Sequence, residues 1–366
     1  MRVLYLSKSY TPHDVRFLEG LSHTDHELYF LQMGSSDGQE DRSLPSGIQS
    51  VAWPLQHERP QWFQLVRKVR ELRRVIKDVQ PDLIHAGPVQ EVAFFVALAG
   101  FHPLITMSWG SDMLVEADQG LGRIIARYTI SRSDVFICDC ETVRQSALQL
   151  GMRADRIVVF PWGVDLDHFS PGSADGLKNQ LGWENEFLVL STRAWEPLYG
   201  IDVVLEGFIR AAGKEPSLRL LMLGRGSLRG EVEKFVREHD LEDRVYLPGQ
   251  VHYEELPQYY RASDLYVSAS YSDGSSVSLM EALACGCPAL VSDIPANREW
   301  VRPGVHGWLF DAGDPEGLAT GILQAAMERG RLVEIQAAAR ELAEQRANWK
   351  HNFQELLRGY EMAVSI

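Results

Sequence analysis

Asp273 and Glu281 have seven residues between them in Tyr271-Ser272-Asp273-Gly274-Ser275-Ser276-Val277-Ser278-Leu279-Met280-Glu281-Ala282. What lies between them decides what two carboxylates at that spacing can do. The stretch follows an apolar run at 265–268 and opens a helical pattern. Gly274 and the serines let the backbone come close to a ligand. Amides of Ser275, Ser276 and Val277 at the positive end of a helix dipole hold a phosphate without any lysine. Glu281, further along the helix, has the reach to accept hydrogen bonds from ribose hydroxyls. Asp273, ahead of the helix, falls where a sugar attached to that phosphate would lie. A serine N-cap followed by a charged helix face accounts for the same residues, and such helix starts are common.

The elements that must carry this loop are legible along the chain. Apolar runs at 3–6, 28–32, 82–85, 104–107, 135–138 and 157–160 read as strands, with helical patterns at 61–79, 90–99, 121–131 and 142–150. Wholly apolar strands alternating with helices imply a parallel sheet covered on both faces. A turn-rich hinge follows, Pro161-Trp162-Gly163-Val164-Asp165 and then Ser170-Pro171-Gly172-Ser173. The pattern restarts with strands at 187–191, 218–223, 245–247, 265–268 and 289–292, and helices near 201–212, 228–239, 254–260 and 277–285. Helical segments near 315–328, 332–346 and 353–363 end it. The expectation is an α/β chain of two Rossmann-like doubly wound domains facing each other across a cleft. The first covers 1–165, with a C-terminal helix at about 349–366 packing back on it, and the second covers 166–348. Ligands in such sheets bind beyond the carboxyl ends of the strands, where residues 273–281 fall.

Composition bounds the function. At 366 residues, 45% hydrophobic and 23% charged, the chain is an ordinary globular sequence too long for one core. A net charge of −14 excludes a general nucleic-acid binder, so no nucleic-acid partner is expected. The cysteines form two Cys-x-Cys pairs, Cys138 with Cys140 and Cys285 with Cys287, which have neither redox nor zinc spacing. They read as buried free thiols in a reducing compartment. The N-terminus runs directly into the strand-like 3–6, with no secretory signal, and the longest apolar run, 92–99, falls far short of the ~20 residues of a membrane span. The expected location is cytoplasmic, with a peripheral position at the inner face of a membrane left open.

The helix after Glu281 continues Ala282-Leu283-Ala284-Cys285-Gly286-Cys287-Pro288 into the strand at 289–292. An acidic residue, seven residues, a Glu and then an Ala-Met-Ala-x-Gly-x-Pro run resembles the signature of the retaining family-four glycosyltransferases of GT-B fold. The family's other motifs follow in order over nearly the whole chain: Gly163-Val164-Asp165-Leu166-Asp167-His168-Phe169-Ser170-Pro171, Gly224-Arg225-Gly226, Arg244-Val245-Tyr246-Leu247-Pro248-Gly249 and His306-Gly307-Trp308-Leu309-Phe310. The resemblance implies a nucleotide sugar, UDP- or GDP-linked, as co-substrate, with no further cofactor and no metal, and transfer to a glycan or lipid-linked acceptor. It implies that Glu281 holds the donor ribose and that Gly274 and the amides of Ser275, Ser276 and Val277 hold the diphosphate. Asp273 would then contact the donor sugar, and backbone around Gln250 and Val251 would meet the base. Arg193, in Ser191-Thr192-Arg193, matches the arginine that neutralises the leaving diphosphate. With Asp273 and Asp112 it completes the catalytic candidates.

Three positions depart from the family. Tyr199 stands where a lysine accompanies the arginine; it donates one hydrogen bond but carries no positive charge at neutral pH. Trp109-Gly110-Ser111-Asp112 replaces His-Gly-x-Asp, so Trp109 and Gly110 become the candidates for the sugar or acceptor contact that the histidine makes. Asp273 is a methylene shorter than the family's Glu. In the first half, Pro12-His13-Asp14-Val15-Arg16-Phe17 follows the first strand. His13 and Asp14 are candidates for a sugar or acceptor contact, or Asp14 does no more than cap a helix. Asp112 either orients the acceptor hydroxyl or supports Trp109, and His85 reads as a structural lining residue. The helix at 62–79 carries Arg67, Lys68, Arg70, Arg73, Arg74 and Lys77 opposite its apolar residues. Its outer face meets either an anionic membrane surface or only solvent.

Competing functions fare differently. A dinucleotide-dependent oxidoreductase needs a third glycine in register after Gly224-Arg225-Gly226, and residues 7–16 after the first strand hold no glycine. A P-loop nucleotidase fails for want of Gly-Lys-Ser/Thr. A nucleotide-sugar epimerase of the same fold, or a sugar-nucleotide-binding partner with weak or lost activity, stays open.

Overall fold

The computed structural model describes residues 1–34, 42–55, 64–118, 120–173 and 175–365. The chain divides into two compact units, Met1–Phe160 with His351–Ile366, and Pro161–Lys350. The first holds a seven-stranded sheet of order β3-β2-β1-β4-β5-β6-β7. Its strands are β1 Arg2–Ser7, β2 Glu27–Gln32, β3 Ile48–Val51, β4 Leu83–Gly87, β5 Leu104–Met107, β6 Val135–Cys138 and β7 Ile157–Val159. The second holds a six-stranded sheet of order β10-β9-β8-β11-β12-β13. These are β8 Phe187–Ser191, β9 Leu218–Leu223, β10 Val245–Gly249, β11 Leu265–Ser268, β12 Ala289–Ser292 and β13 Gly307–Phe310. Every pairing in both sheets is parallel.

Parallel strands need crossover helices, and helices on both faces bury the strands completely. Accordingly β4, β5, β6, β8, β11 and β12 are buried along their whole length. In each sheet the direction of winding reverses once, between β1 and β4 and between β8 and β11. No helix covers the carboxyl ends of the two strands at such a reversal, which is where ligands bind in this architecture.

Two strands escaped the sequence pattern. β3 is a half-exposed edge strand whose Gln49 and Ser50 break the apolar run, and β13 begins on Gly307. The helix expected at 90–99 is in two parts, a π-helical turn Val89–Ala93 and an α-helix Phe94–Ala99. The last helical segment, read as 353–363 within a C-terminal helix at about 349–366, spans Trp349–Val364. The basic helix spans Leu65–Val79 and buries Leu72, Val75 and Val79; its expected first residues, Gln61 and Trp62, lie outside the described residues.

From His351 onward the helix Trp349–Val364 belongs to the first unit, where the Tyr360 hydroxyl lies 2.8 Å from His85 Nδ1 on β4. Burial pushes the His85 pKa down to about 3, so the ring stays neutral in the core. All four cysteines are buried thiols, and burial pushes that of Cys285 up to about 12.

Candidate active site

In the second unit the reversal point sets Arg193, two residues beyond β8, beside Asp273, which follows β11. Arg193 Nη2 is 2.8 Å from Asp273 Oδ2, and both side chains are largely buried. Arg193 Nη1 also donates to Ser276 Oγ at 2.8 Å and to Ser278 Oγ at 3.2 Å. The Tyr199 ring lies under the guanidinium, 4.1 Å from its carbon to the ring centroid. Gly224, at φ +122°, lets β9 end against the Arg193 loop, since a Cβ there would stand 2.8 Å from the Arg193 carbonyl oxygen. Burial works against the Arg193 charge, yet Asp273 and the surrounding tyrosines hold its proton more firmly than in water. The same burial pushes the Asp273 carboxyl up, against the pull of Arg193, the Gly274 amide and the Ser276 hydroxyl.

The helix Val277–Ala284 starts as its sequence requires. Ser276 is its N-cap and accepts from Leu279 N at 3.4 Å. Ser275 Oγ receives the Trp300 indole N–H at 3.2 Å, and Ser278 Oγ lies 2.8 Å from the Tyr266 hydroxyl. The serine hydroxyls therefore build the loop, while the helix-start backbone amides are the groups that an anion would meet. Glu281 is only 7% exposed, and its Oε2 accepts a 2.8 Å hydrogen bond from the Tyr260 hydroxyl. Tyr260 is in turn 3.0 Å from Thr192 Oγ1, which links the helix to the end of β8. Gln250 and Val251 follow β10 at the sheet edge, exposed and half-buried. The fold thus gathers the catalytic candidates Arg193 and Asp273 with the donor-binding candidates Tyr199, Gly274 and Ser276 into one cluster. Tyr260, Tyr266 and Ser278 carried no signal in the sequence, because their parts depend on neighbours brought in from other strands.

The first-unit candidates are arranged differently. Asp112 Oδ1 accepts from Ser108 Oγ at 2.6 Å, Trp109 N at 3.0 Å and Met113 N at 3.1 Å, and its Oδ2 accepts from Val89 N at 3.0 Å. Burial raises its pKa to about 6 despite those donors. A carboxylate so enclosed holds the Trp109 loop in shape and has no exposed face to orient an acceptor. Gly110 turns that loop at φ +93°. Asp14 is fully buried, closes a capping box with Thr11 on the helix Pro12–Ser22, and accepts from the Tyr5 hydroxyl at 3.1 Å. It too is raised to about 6 by burial, and it is closed to any ligand. His13 and Trp109 pack ring on ring, centroids 5.2 Å apart, both part-exposed. Among the described residues no group of His, Cys, Asp and Glu is arranged to hold a metal ion.

Residues 174–345 match the family described as glycosyl transferases group 1, and residues 2–140 match glycosyl transferase 4-like. The chain is 30% identical over 234 residues to a D-inositol 3-phosphate glycosyltransferase of Geodermatophilus obscurus, covering 61% of this chain and 51% of that one. It is 34% identical over 246 residues to that of Mycolicibacterium smegmatis, covering 64% and 54%. The chain thus spans about half the length of the curated relatives it matches. HepE of Anabaena, solved in complex with UDP-glucose, has a TM-score of 0.81 at 19% identity, covering 99% of each chain. Sucrose-phosphate synthase of Thermosynechococcus elongatus gives 0.81 at 18% identity, covering 100% of this chain and 99% of that one. At such identities the likeness is one of fold, two parallel-sheet Rossmann-like units of the GT-B class.

Proposed function

We propose that this chain, assembled from a glycosyl transferase 4-like segment and a glycosyl transferases group 1 segment, is a retaining glycosyltransferase. It moves a hexosyl or N-acetylhexosaminyl group from a UDP- or GDP-sugar to a glycan or lipid-linked acceptor, on the cytoplasmic side and without a metal. The observation that carries the reading is the Arg193–Asp273 pair at the head of the helix Val277–Ala284.

Asp273 sits where an anion would be held: Arg193, the Gly274 amide and the Ser276 hydroxyl all bear on its carboxylate. An incoming diphosphate takes over Arg193 and the helix-start amides. Asp273, released, turns to the hydroxyls of the donor sugar. Glu281, held by Tyr260, accepts from the ribose. As the glycosidic bond to the diphosphate breaks, Arg193 meets the growing negative charge, the type of interaction that accelerates rather than merely binds. Tyr199 keeps the guanidinium in place from below, where a lysine would have added a second charge.

The test has two parts. Transfer and donor hydrolysis are assayed with a panel of UDP- and GDP-sugars, with D-inositol 3-phosphate, named by the relatives, among the acceptors. The same panel is titrated calorimetrically. Turnover with one donor supports the reading; binding without turnover across the acceptor panel overturns its catalytic part. Asp273→Asn should bind UDP several-fold more tightly than the wild type, by about 1 kcal/mol, because Arg193 loses its resident competitor, while transfer falls. Weaker UDP binding in that variant would remove the exchange from the mechanism.

A further inference from the structure

The first unit carries a surface unlike the rest of this acidic chain. Helices Leu65–Val79, Phe94–Ala99 and Gly120–Arg132 follow β3, β4 and β5, and each crosses the sheet in the same direction. Right-handed crossovers place all three on one face. Side chains join them: Arg73 donates to the carbonyls of Leu98 and Ala99, Lys68 lies over the Phe95 ring at 5.4 Å, and Phe94 meets Tyr128 at 5.9 Å.

This face exposes apolar side chains that a solvated surface does not need. Val66 is 69% exposed, Leu121 70% and Ile124 67%. On the last helix, Leu121, Ile124 and Tyr128 are spaced at i, i+3 and i+7, so they form one stripe turned toward Phe94. Basic residues surround them: Arg67, Arg70, Arg74 and Lys77 on the first helix, and Arg123 and Arg127, all exposed, on the last. The helix Gly120–Arg132 contains no acidic residue; on the first helix Glu71 is paired with Arg74 at 2.7 Å, and Asp78 is exposed near its C-terminal end.

We propose that this three-helix face docks the protein on an anionic membrane surface, with Leu121 and Ile124 entering the headgroup boundary and the arginines pairing with lipid phosphates. The reading of the donor site neither requires this nor is required by it. The charge argument is specific: a chain of net charge −14 is repelled by an anionic bilayer except through a face like this one. The exposed aliphatic side chains select a bilayer over a soluble polyanion, which would be met by charge alone. No helix among the described residues is long and apolar enough to cross a membrane, so the contact is peripheral.

The experiment is cosedimentation of the full chain with phosphatidylcholine vesicles and with equal mixtures of phosphatidylcholine and phosphatidylglycerol. Binding should be at least about tenfold tighter to the mixed vesicles. Arg70→Glu with Arg127→Glu should lose at least about tenfold of that binding. Leu121→Ser with Ile124→Ser should keep the charge preference but lose binding as salt is raised. UDP affinity and the thermal melt, measured on both variants, establish that each remains folded. Equal binding to the two vesicle types, or folded variants that bind like the wild type, overturns the proposal. So does heparin binding without vesicle binding, or a lipid-free dimer that the Leu121 and Ile124 substitutions dissociate.

Discussion

The loops after β5 and after β11 each bury a carboxylate, and they satisfy it in opposite ways. Asp112 is held by three backbone amides and one hydroxyl. Those donors are part of the chain's course and cannot leave without unfolding it. Asp273 is held chiefly by a guanidinium on a neighbouring strand end. That partner can be shared with, or surrendered to, another anion. An acid fixed by backbone dipoles is architecture, and an acid fixed by a side-chain cation is an exchangeable contact. The difference separates two residues that look equally catalytic on paper.

Breaking the comparison at its cation should have the largest effect. Arg193→Ala is expected to lower kcat by about a hundredfold to a thousandfold, the usual consequence of removing one donor from developing negative charge. Steady-state rates at saturating donor measure this, and an unchanged kcat removes Arg193 from the chemistry. Breaking it at the architectural acid should act on stability instead. Asp112→Ala leaves four donors without their acceptor and should cost about 3 kcal/mol in chemical unfolding, with donor affinity of the folded fraction retained. If Asp112→Ala instead leaves stability intact and abolishes turnover, the assignment of roles is reversed.

Smaller changes sharpen the contrast. Tyr199→Leu should reduce kcat about threefold to tenfold by freeing the guanidinium, and Tyr199→Phe should keep most of the activity because the ring face is retained. A loss as large in Phe as in Leu would mean that the hydroxyl matters and the stacking does not. The last contrast is a pH dependence. The folded pKa of Asp112 is raised to about 6 from an ordinary value of 3.8. Between those values the native chain holds the proton more often than the unfolded chain. Its contribution to stability is therefore complete below pH ~4, lost as pH rises through about 6, and constant above. Subtracting the unfolding profile of Asp112→Asn from that of the wild type isolates this step. A difference that grows with pH contradicts the direction.

Much of the fold was legible because the signals are local. β5, β6, β8, β9, β11 and β12 fall where continuous apolar runs put them, since strands covered on both faces are filled mainly by apolar side chains. The helix after Ser276 begins where a serine cap and a helical period meet. Edge strands such as β3 were hidden, because a half-exposed strand tolerates glutamine and serine and so loses its pattern.

By itself, the order of residues determined which loops follow strands, which serine opens the helix, and that an acid and a glutamate lie on that segment. Only the tertiary structure decided what those groups do. Arg193 reaches Asp273 because β8 pairs with β11 across two intervening strands of sequence. Tyr260 reaches Glu281, and Tyr360 crosses 275 positions to His85, for the same kind of reason. Local period fixes the course of the backbone within a few residues. The environment of a buried charge depends instead on which strand ends the winding of the sheet sets side by side, and no spacing along the chain records that.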